Sequence, residues 1–207
     1  MANAGWKPVA APLMTRWAKD VTPTQVPPYP RPQLVRPPES WASLNGLWLV
    51  DYNALDLSSP PFGNNSMTEE ILVPYPLESP LSGVRKLAPH FCMWYRRVFQ
   101  PAELLPTCNG KKVLRFERVD WNTTVFVNGR LLGTHLGGYD SFSYAFPPTT
   151  ETGTGTGTGT EIIVGVYDAT EMNPRHWQPY GKQQRAAFTN PSGMMYTSSS
   201  GIWDTVW

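Results

Sequence analysis

The chain has 207 residues, 17 basic and 16 acidic side chains and 41% hydrophobic content, which suits one sizeable folded unit and excludes a wholly disordered polypeptide. Its net charge of +1 offers no electrostatic pull toward nucleic acid. No apolar run reaches the length of a signal-peptide core or a membrane helix, so the expectation is a cytoplasmic protein without membrane contact.

Proline is over-used, with 22 in all and nine before residue 40. Repeated prolines fix φ and push each preceding residue toward extended geometry, so residues 1–39 are expected to form an extended arm. The body, 40–207, begins at "SWASLNGLWLVDY", where Leu47, Leu49 and Asp51 alternate with Trp48, Val50 and Tyr52 in the period of a strand. "EEILVPYP" is the next strand candidate, ended by its prolines, and "FCMWYRRVFQP" follows, rich in aromatics and closed by Pro101. "KKVLRFERV" and "TTVFV" lead to Asn128-Gly129 and then "RLLGTH". Asn-Gly between two β-prone runs predicts a hairpin, because both residues accept the positive φ of a type I′ turn.

"YDSFSYAF" reads as a further strand and "EIIVGVYD" as a buried one. Between them the Thr-Gly repeat of 152–160 has no apolar surface to bury and is expected to be a loop tip. "GIWDTVW" begins a last strand that the sequence cuts off. Seven or eight short strands with no competing helical period predict an all-β fold, an antiparallel β-sandwich or jelly roll. Cys92 and Cys108 show neither zinc-ligand spacing nor a disulfide framework and read as two ordinary thiols; no metal or other cofactor is expected. The sequons at Asn64 and Asn122 matter only in a secreted chain.

Seven phrases in this order, "SLNGLW" (43–48), "ILVPYPLES" (71–79), "WYRRVF" (94–99), "VDWNTTVFVNGRLLGTHLGGYDSF" (119–142), "VGVYDAT" (164–170), "GKQ" (181–183) and "SGIWDTVW" (200–207), resemble the N-terminal sugar-binding domain of glycoside hydrolase family 2, the family of β-galactosidases and β-glucuronidases. The resemblance implies a galactose-binding-like jelly roll, followed in the family by an immunoglobulin-like domain and a TIM barrel. The barrel carries the two catalytic glutamates, so no residue here inherits a catalytic role and the chain alone is expected to be inactive. The implied partners are a carbohydrate (a β-glycoside), further domains of the same enzyme and, as in oligomeric members of the family, a second copy of the chain.

Three groups of residues are candidates for a site. The first is the cluster Gly133, His135, Gly137, Gly138, Tyr139 and Asp140 after the hairpin of Asn128 and Gly129. A general base with an orienting carboxylate would need a nucleophile or metal partners that the spacing does not place. The plainer reading is a turn cluster in which glycines let the chain bend while His135 and Asp140 bond turn backbone.

The second is the carboxylates. Glu69, Glu70, Glu117, Asp120, Asp168 and Asp204 lie on or beside strands near Arg96, Arg97, Arg115 and Arg118, which predicts structural ion pairs rather than an acid/base dyad. Retaining hydrolysis requires two carboxyl groups roughly 5–5.5 Å apart with one pKa raised.

The third is the long excursion from Ala169 to Ser200, rich in amides, hydroxyls and aromatics. Loops of this length are usually functional or disordered. In the family the matching excursion approaches the active-site mouth, and some members carry an aspartate five residues before the small-Gly-Ile step; Met195 stands there in this chain. Trp177, Lys182, Gln183, Tyr196 and Thr197 are the substrate-proximal candidates. Trp48, Trp94 and Trp121 read as core, whereas Trp203 and Trp207 read as packing against a following domain. Two alternatives stand beside the dependent sugar-binding domain: a free-standing carbohydrate-binding module, and an assembly domain without sugar affinity.

Overall fold

The computed structural model describes residues 5–27, 30–63, 67–100, 103–104, 111–146, 159–170 and 178–207. Trp177, Cys108, Asn64 and all but the last two residues of the Thr-Gly tract lie outside them. Among the described residues ten strands appear in chain order: β1 Gly46–Asp51, β2 Glu69–Val73, β3 Cys92–Phe99, β4 Lys112–Phe116, β5 Val119–Asp120, β6 Asn122–Val127, β7 Arg130–Leu136, β8 Phe142–Phe146, β9 Thr160–Tyr167 and β10 Gly201–Ile202.

Six of them form one antiparallel sheet in the order β2-β1-β3-β9-β6-β7. Over one of its faces pack two short ladders, β4–β8 and β5–β10, tied to each other by a bridge between Phe116 and Val206. The architecture is the all-β antiparallel sandwich that the alternating runs predict.

β1 shows the logic of burial most simply. Gly46, Trp48 and Val50 are buried while Leu47, Leu49 and Asp51 are half-buried, because successive side chains leave a strand on opposite faces. Between the layers Trp48, Ile71, Tyr95, Ile162 and Val164 meet Leu114, Phe116, Ile202 and Val206, all at most 2% exposed. Each such large apolar side chain contributes roughly 1.5–3 kcal/mol by leaving water. β9 is buried at every position from Thr160 to Val166. Its outer face is covered by irregular chain: Ile163 packs with Trp94, Met67 and the half-buried Leu57, Phe62 and Phe126.

The hairpin forms as expected. Asn128 and Gly129 have φ of 48° and 77°, and the Asn128 side-chain oxygen accepts from the Glu161 backbone N–H at 2.8 Å.

One expectation changes. The arm is not uniformly extended, since Pro30–Val35 forms a short helix, α1. Prolines fit the first turn of a helix, where their missing N–H would have no intrahelical partner. Its earlier part lies against the body: the Trp6 indole donates to Ser82 O at 3.2 Å and Val9 N–H to Pro80 O at 2.9 Å.

The final segment packs on the described residues, with Trp203 and Trp207 half-buried. Ile202 and Val206 are fully buried, β10 pairs with β5, and the Trp203 indole donates to Gly138 O at 2.9 Å. Trp207 exchanges backbone bonds with Arg115 and donates its indole N–H to Glu117 Oε1 at 2.7 Å. Trp48 and Trp94 are core, whereas Trp121 is half-buried.

Candidate functional site

β9 ends, and β3 and β6 begin, at one end of the sandwich, where Tyr167 stands opposite both Cys92 and Asn122. Three carboxyl groups are buried near this end. Asp168 follows β9, Asp120 closes β5, and Glu78 comes from the segment after β2.

Asp120 and Asp168 thus depart from the expected ion pairs with strand arginines. The pairing holds for Glu117 with Arg115 at 2.9 Å and for Asp204 with Arg118, while Glu69 accepts from the Tyr52 hydroxyl. Two further arginines find other acids: Arg96 meets Glu161 at 2.7 Å and Arg97 meets Glu103 at 3.0 Å. An acid at a strand end, beneath a folded-back loop, meets the loop rather than a neighbouring strand.

That loop is the excursion itself. Glu78 Oε1 accepts from the hydroxyls of Ser198 at 2.9 Å and Ser200 at 2.6 Å, and Oε2 from the Ser200 N–H at 2.9 Å. Asp168 Oδ1 accepts from Thr170 Oγ1 and Gln178 Nε2, each at 2.6 Å. Asp120 Oδ2 accepts from Gln183 Nε2 at 3.0 Å.

Burial pushes the Glu78 carboxyl up to about 7, against the opposing bonds from Ser200 and Ser198. Asp120 and Asp168 are also pushed upward, first by burial; each other's charge adds to this at Asp120, whereas hydrogen bonds and the nearby Arg185 guanidinium oppose it at Asp168. The Tyr95 hydroxyl, buried against Ile202, rises for the same leading reason. Three acids therefore gather at one end of the sandwich with their carboxyls pushed upward by burial, contrary to the scattered arrangement expected. Both Glu78 oxygens are already occupied by serines, so their geometry is that of an anchor for the excursion.

The structure brings several candidates together. Lys182, Gln183 and Tyr196 join through a parallel bridge between Gln183 and Tyr196, with Tyr196 N–H donating to Lys182 O at 2.9 Å. Gln183 Nε2 also donates to the Tyr139 hydroxyl at 2.9 Å, and Gln183 Oε1 accepts from Ser199 N–H at 2.6 Å. The excursion and the turn cluster therefore meet at Gln183. Tyr139 and Tyr196 are 55% and 66% exposed, and Tyr139 makes an edge contact with Trp203 at 5.9 Å. Thr197 Oγ1 bonds Ala187 O at 3.4 Å instead. It lines a separate cavity of about 330 Å³ with Glu78, Ser198, Arg85, Phe188 and Ala11–Leu13 of the arm.

Within the turn cluster, Gly138 is buried against the Asp120 carboxyl. His135 and Asp140 face each other, Nε2 to Oδ2 at 3.3 Å, and the imidazole stacks on Phe142 at 4.2 Å; among the described residues neither side chain bonds turn backbone as expected. Asn128 and Gly129 lie beside Glu161, at the opposite end of β9 from Asp168. Met195 is half-buried. Glu78, Ser198 and Ser200 escaped sequence reasoning, for nothing in "PLESP" distinguishes a buried acid from a surface one. Among the described residues no three His, Cys, Asp or Glu side chains converge as a metal site requires, and no helix is long and apolar enough to cross a membrane.

No protein-family model and no curated protein matches the chain. Among solved structures it is similar to Ruminococcus gnavus β-glucuronidase, with 21% identity over 61% of this chain and 20% of that one and a TM-score of 0.46. The same enzyme in complex with D-glucaro 1,5-lactone gives 20% identity over 61% and 21% of the two chains, with a TM-score of 0.46. In complex with uronic deoxynojirimycin it gives 20% identity, the same coverage and a TM-score of 0.46. The chain therefore spans about a fifth of the length of the structures it matches.

Proposed function

We propose that this chain is a non-catalytic carbohydrate-contacting domain of the family 2 glycoside hydrolase type, whose full-length form would hydrolyse O-glycosyl bonds of β-glycosides. The observation that carries the reading is the convergence of Lys182, Gln183 and Tyr196 on Tyr139, two segments picked out separately from the sequence and joined by the Gln183–Tyr139 bond. Exposed tyrosine rings offer flat apolar faces to a pyranose, while the Tyr139 O–H, oriented by Gln183, and the Lys182 ammonium offer donors to its hydroxyls or to an acidic sugar. The ordered run of seven phrases supports the same assignment. On this reading the buried acids hold the excursion in place and the chemistry belongs to a further domain.

Titration of the chain with galactose, glucuronic acid and oligosaccharides, followed by tyrosine and tryptophan fluorescence and amide NMR, tests it. Sugar-dependent shifts at Tyr139, Lys182 and Tyr196, with no release of chromophore from a chromogenic β-glycoside, are the expected result. Turnover abolished by Glu78→Gln or Asp120→Asn would overturn it. Saturable micromolar binding by the isolated chain would favour a free-standing binding module over a domain that contributes only part of a cleft.

A further inference from the structure

The cavity of about 330 Å³ between the arm and the excursion falls within the size range of small-molecule sites, roughly 300–1,000 Å³. Three stretches of chain wall it: residues 11–13 of the arm, residues 76–80 after β2 together with Arg85, and residues of the excursion between 187 and 199. Each stretch is internal to a described segment, and Trp207 stands elsewhere, beside Arg115.

Arg85 is the cation of these walls. Its backbone is left-handed, with a φ of 50°, a conformation that costs a residue with a side chain about 1–2 kcal/mol. Ser82, fully buried, holds it there: the serine Oγ accepts from the N–H of Val84 at 3.0 Å and of Arg85 at 3.3 Å. The guanidinium then reaches two opposite walls, donating from Nη1 to Ala10 O at 2.7 Å and lying over the Phe188 ring, 5.9 Å from its centroid. It has five N–H donors, and among the described residues Arg85 joins no ion pair. A half-buried positive charge is thus fixed in position without a counter-charge.

The other polar groups are mostly turned to the chain itself. Ser198 donates to Glu78, Thr197 to Ala187 O, and Ser79 Oγ accepts from Leu81 N–H. Both Glu78 oxygens are taken by serines. Most of what remains is apolar: Pro12, Leu13, Pro80, Phe188 and Pro191. Such walls suit a polyol poorly, and suit well a single carboxylate carried on a flat apolar body, because a guanidinium meets a carboxylate with two parallel hydrogen bonds.

We propose that this cavity binds a small aryl carboxylate, its carboxylate on the Arg85 guanidinium and its ring among Phe188, Pro12 and Pro191. A molecule seated there touches the arm, the Arg85 turn and the excursion at once, so its binding holds both outer segments on the body. The inference does not rest on the carbohydrate reading, since none of Tyr139, Lys182, Gln183 and Tyr196 lines the cavity.

The probe is benzoate, titrated at constant ionic strength into the full 207-residue chain, with the amide resonances of Arg85 and Phe188 and the Arg85 side-chain N–H as readouts. Saturable shifts at these positions are expected, with slower amide exchange at residues 10–13 and 187–199. Benzamide keeps the shape without the charge and should bind about tenfold more weakly; acetate keeps the charge without the ring and should weaken about as much. Arg85→Gln should also weaken benzoate about tenfold, and the comparison of ligands on the parent chain stands whether or not that variant loosens the arm. Equal affinity for benzamide and benzoate would overturn the proposal, as would the absence of saturable binding or shifts that map away from Arg85 and Phe188. Displacement of benzoate by galactose would overturn it too, by making this cavity the sugar site.

Discussion

Gln183 and Tyr139, 44 residues apart in sequence, are joined by a 2.9 Å hydrogen bond from the amide nitrogen to the phenolic oxygen. The same amide group donates to Asp120 and its oxygen accepts from Ser199, so one side chain ties the excursion, the turn cluster and the end of β5 together. Gln183→Leu removes all three bonds. It should destabilise the chain by about 1–3 kcal/mol in urea unfolding and speed amide exchange across residues 178–200 before the sheet loosens.

Glu78 makes stability pH-dependent, in the sense opposite to a salt-bridged acid. Its folded pKa of about 7 lies above its ordinary 4.5, so between these values the folded state holds a proton that the unfolded state has lost. The associated stability is complete below pH 4.5 and declines as pH rises through 7, by roughly 3 kcal/mol in all. Asp120 and Asp168, shifted the same way, add to the slope. Urea midpoints measured across this range should fall with pH in the parent chain and flatten in Glu78→Gln; a parent midpoint that climbs with pH would contradict the assignment.

Gly201 is placed where a side chain has no room. Its φ is 80° and an added Cβ would stand 2.0 Å from the Tyr95 hydroxyl oxygen and 2.8 Å from Met93 sulfur. Gly201→Ala should cost about 2–4 kcal/mol, from left-handed strain together with overpacking, and should lower the thermal midpoint more than the same change at Gly193, around which space is open.

The hairpin turn offers a local test. Asn128→Ala loses the bond to the Glu161 N–H and places alanine at a φ of 48°. A loss of about 1–2 kcal/mol is expected in thermal unfolding, with the sandwich otherwise unchanged by circular dichroism.

Local signals carried much of this fold. The Asn128-Gly129 turn, the alternation in β1 and the apolar run of β9 each follow from interactions within a few residues, and each stands where its pattern places it. The helix Pro30–Val35 was hidden because prolines extend a chain in most contexts and begin helices in a few. The acids illustrate the harder limit. Whether Asp120 pairs with Arg118 or sinks beneath Gln183 depends on a residue 63 positions away, and Glu78 is bonded by Ser200 at a separation of 122. The rim was legible in part: the excursion was marked by its length and Tyr139 by its glycines, but that they touch is a tertiary fact. Trp203 and Trp207 are half-buried, each holding an indole hydrogen bond within the chain.

The irregular chain bearing Leu57, Phe62 and Met67 does for the outer face of β3 and β9 what a helix does in layered α/β proteins. A single protease nick there would therefore do more than shorten a loop. It would uncover Trp94, Ile163 and Phe126 as one contiguous greasy surface, and the chain would begin to stick to itself while its inner layer was still intact.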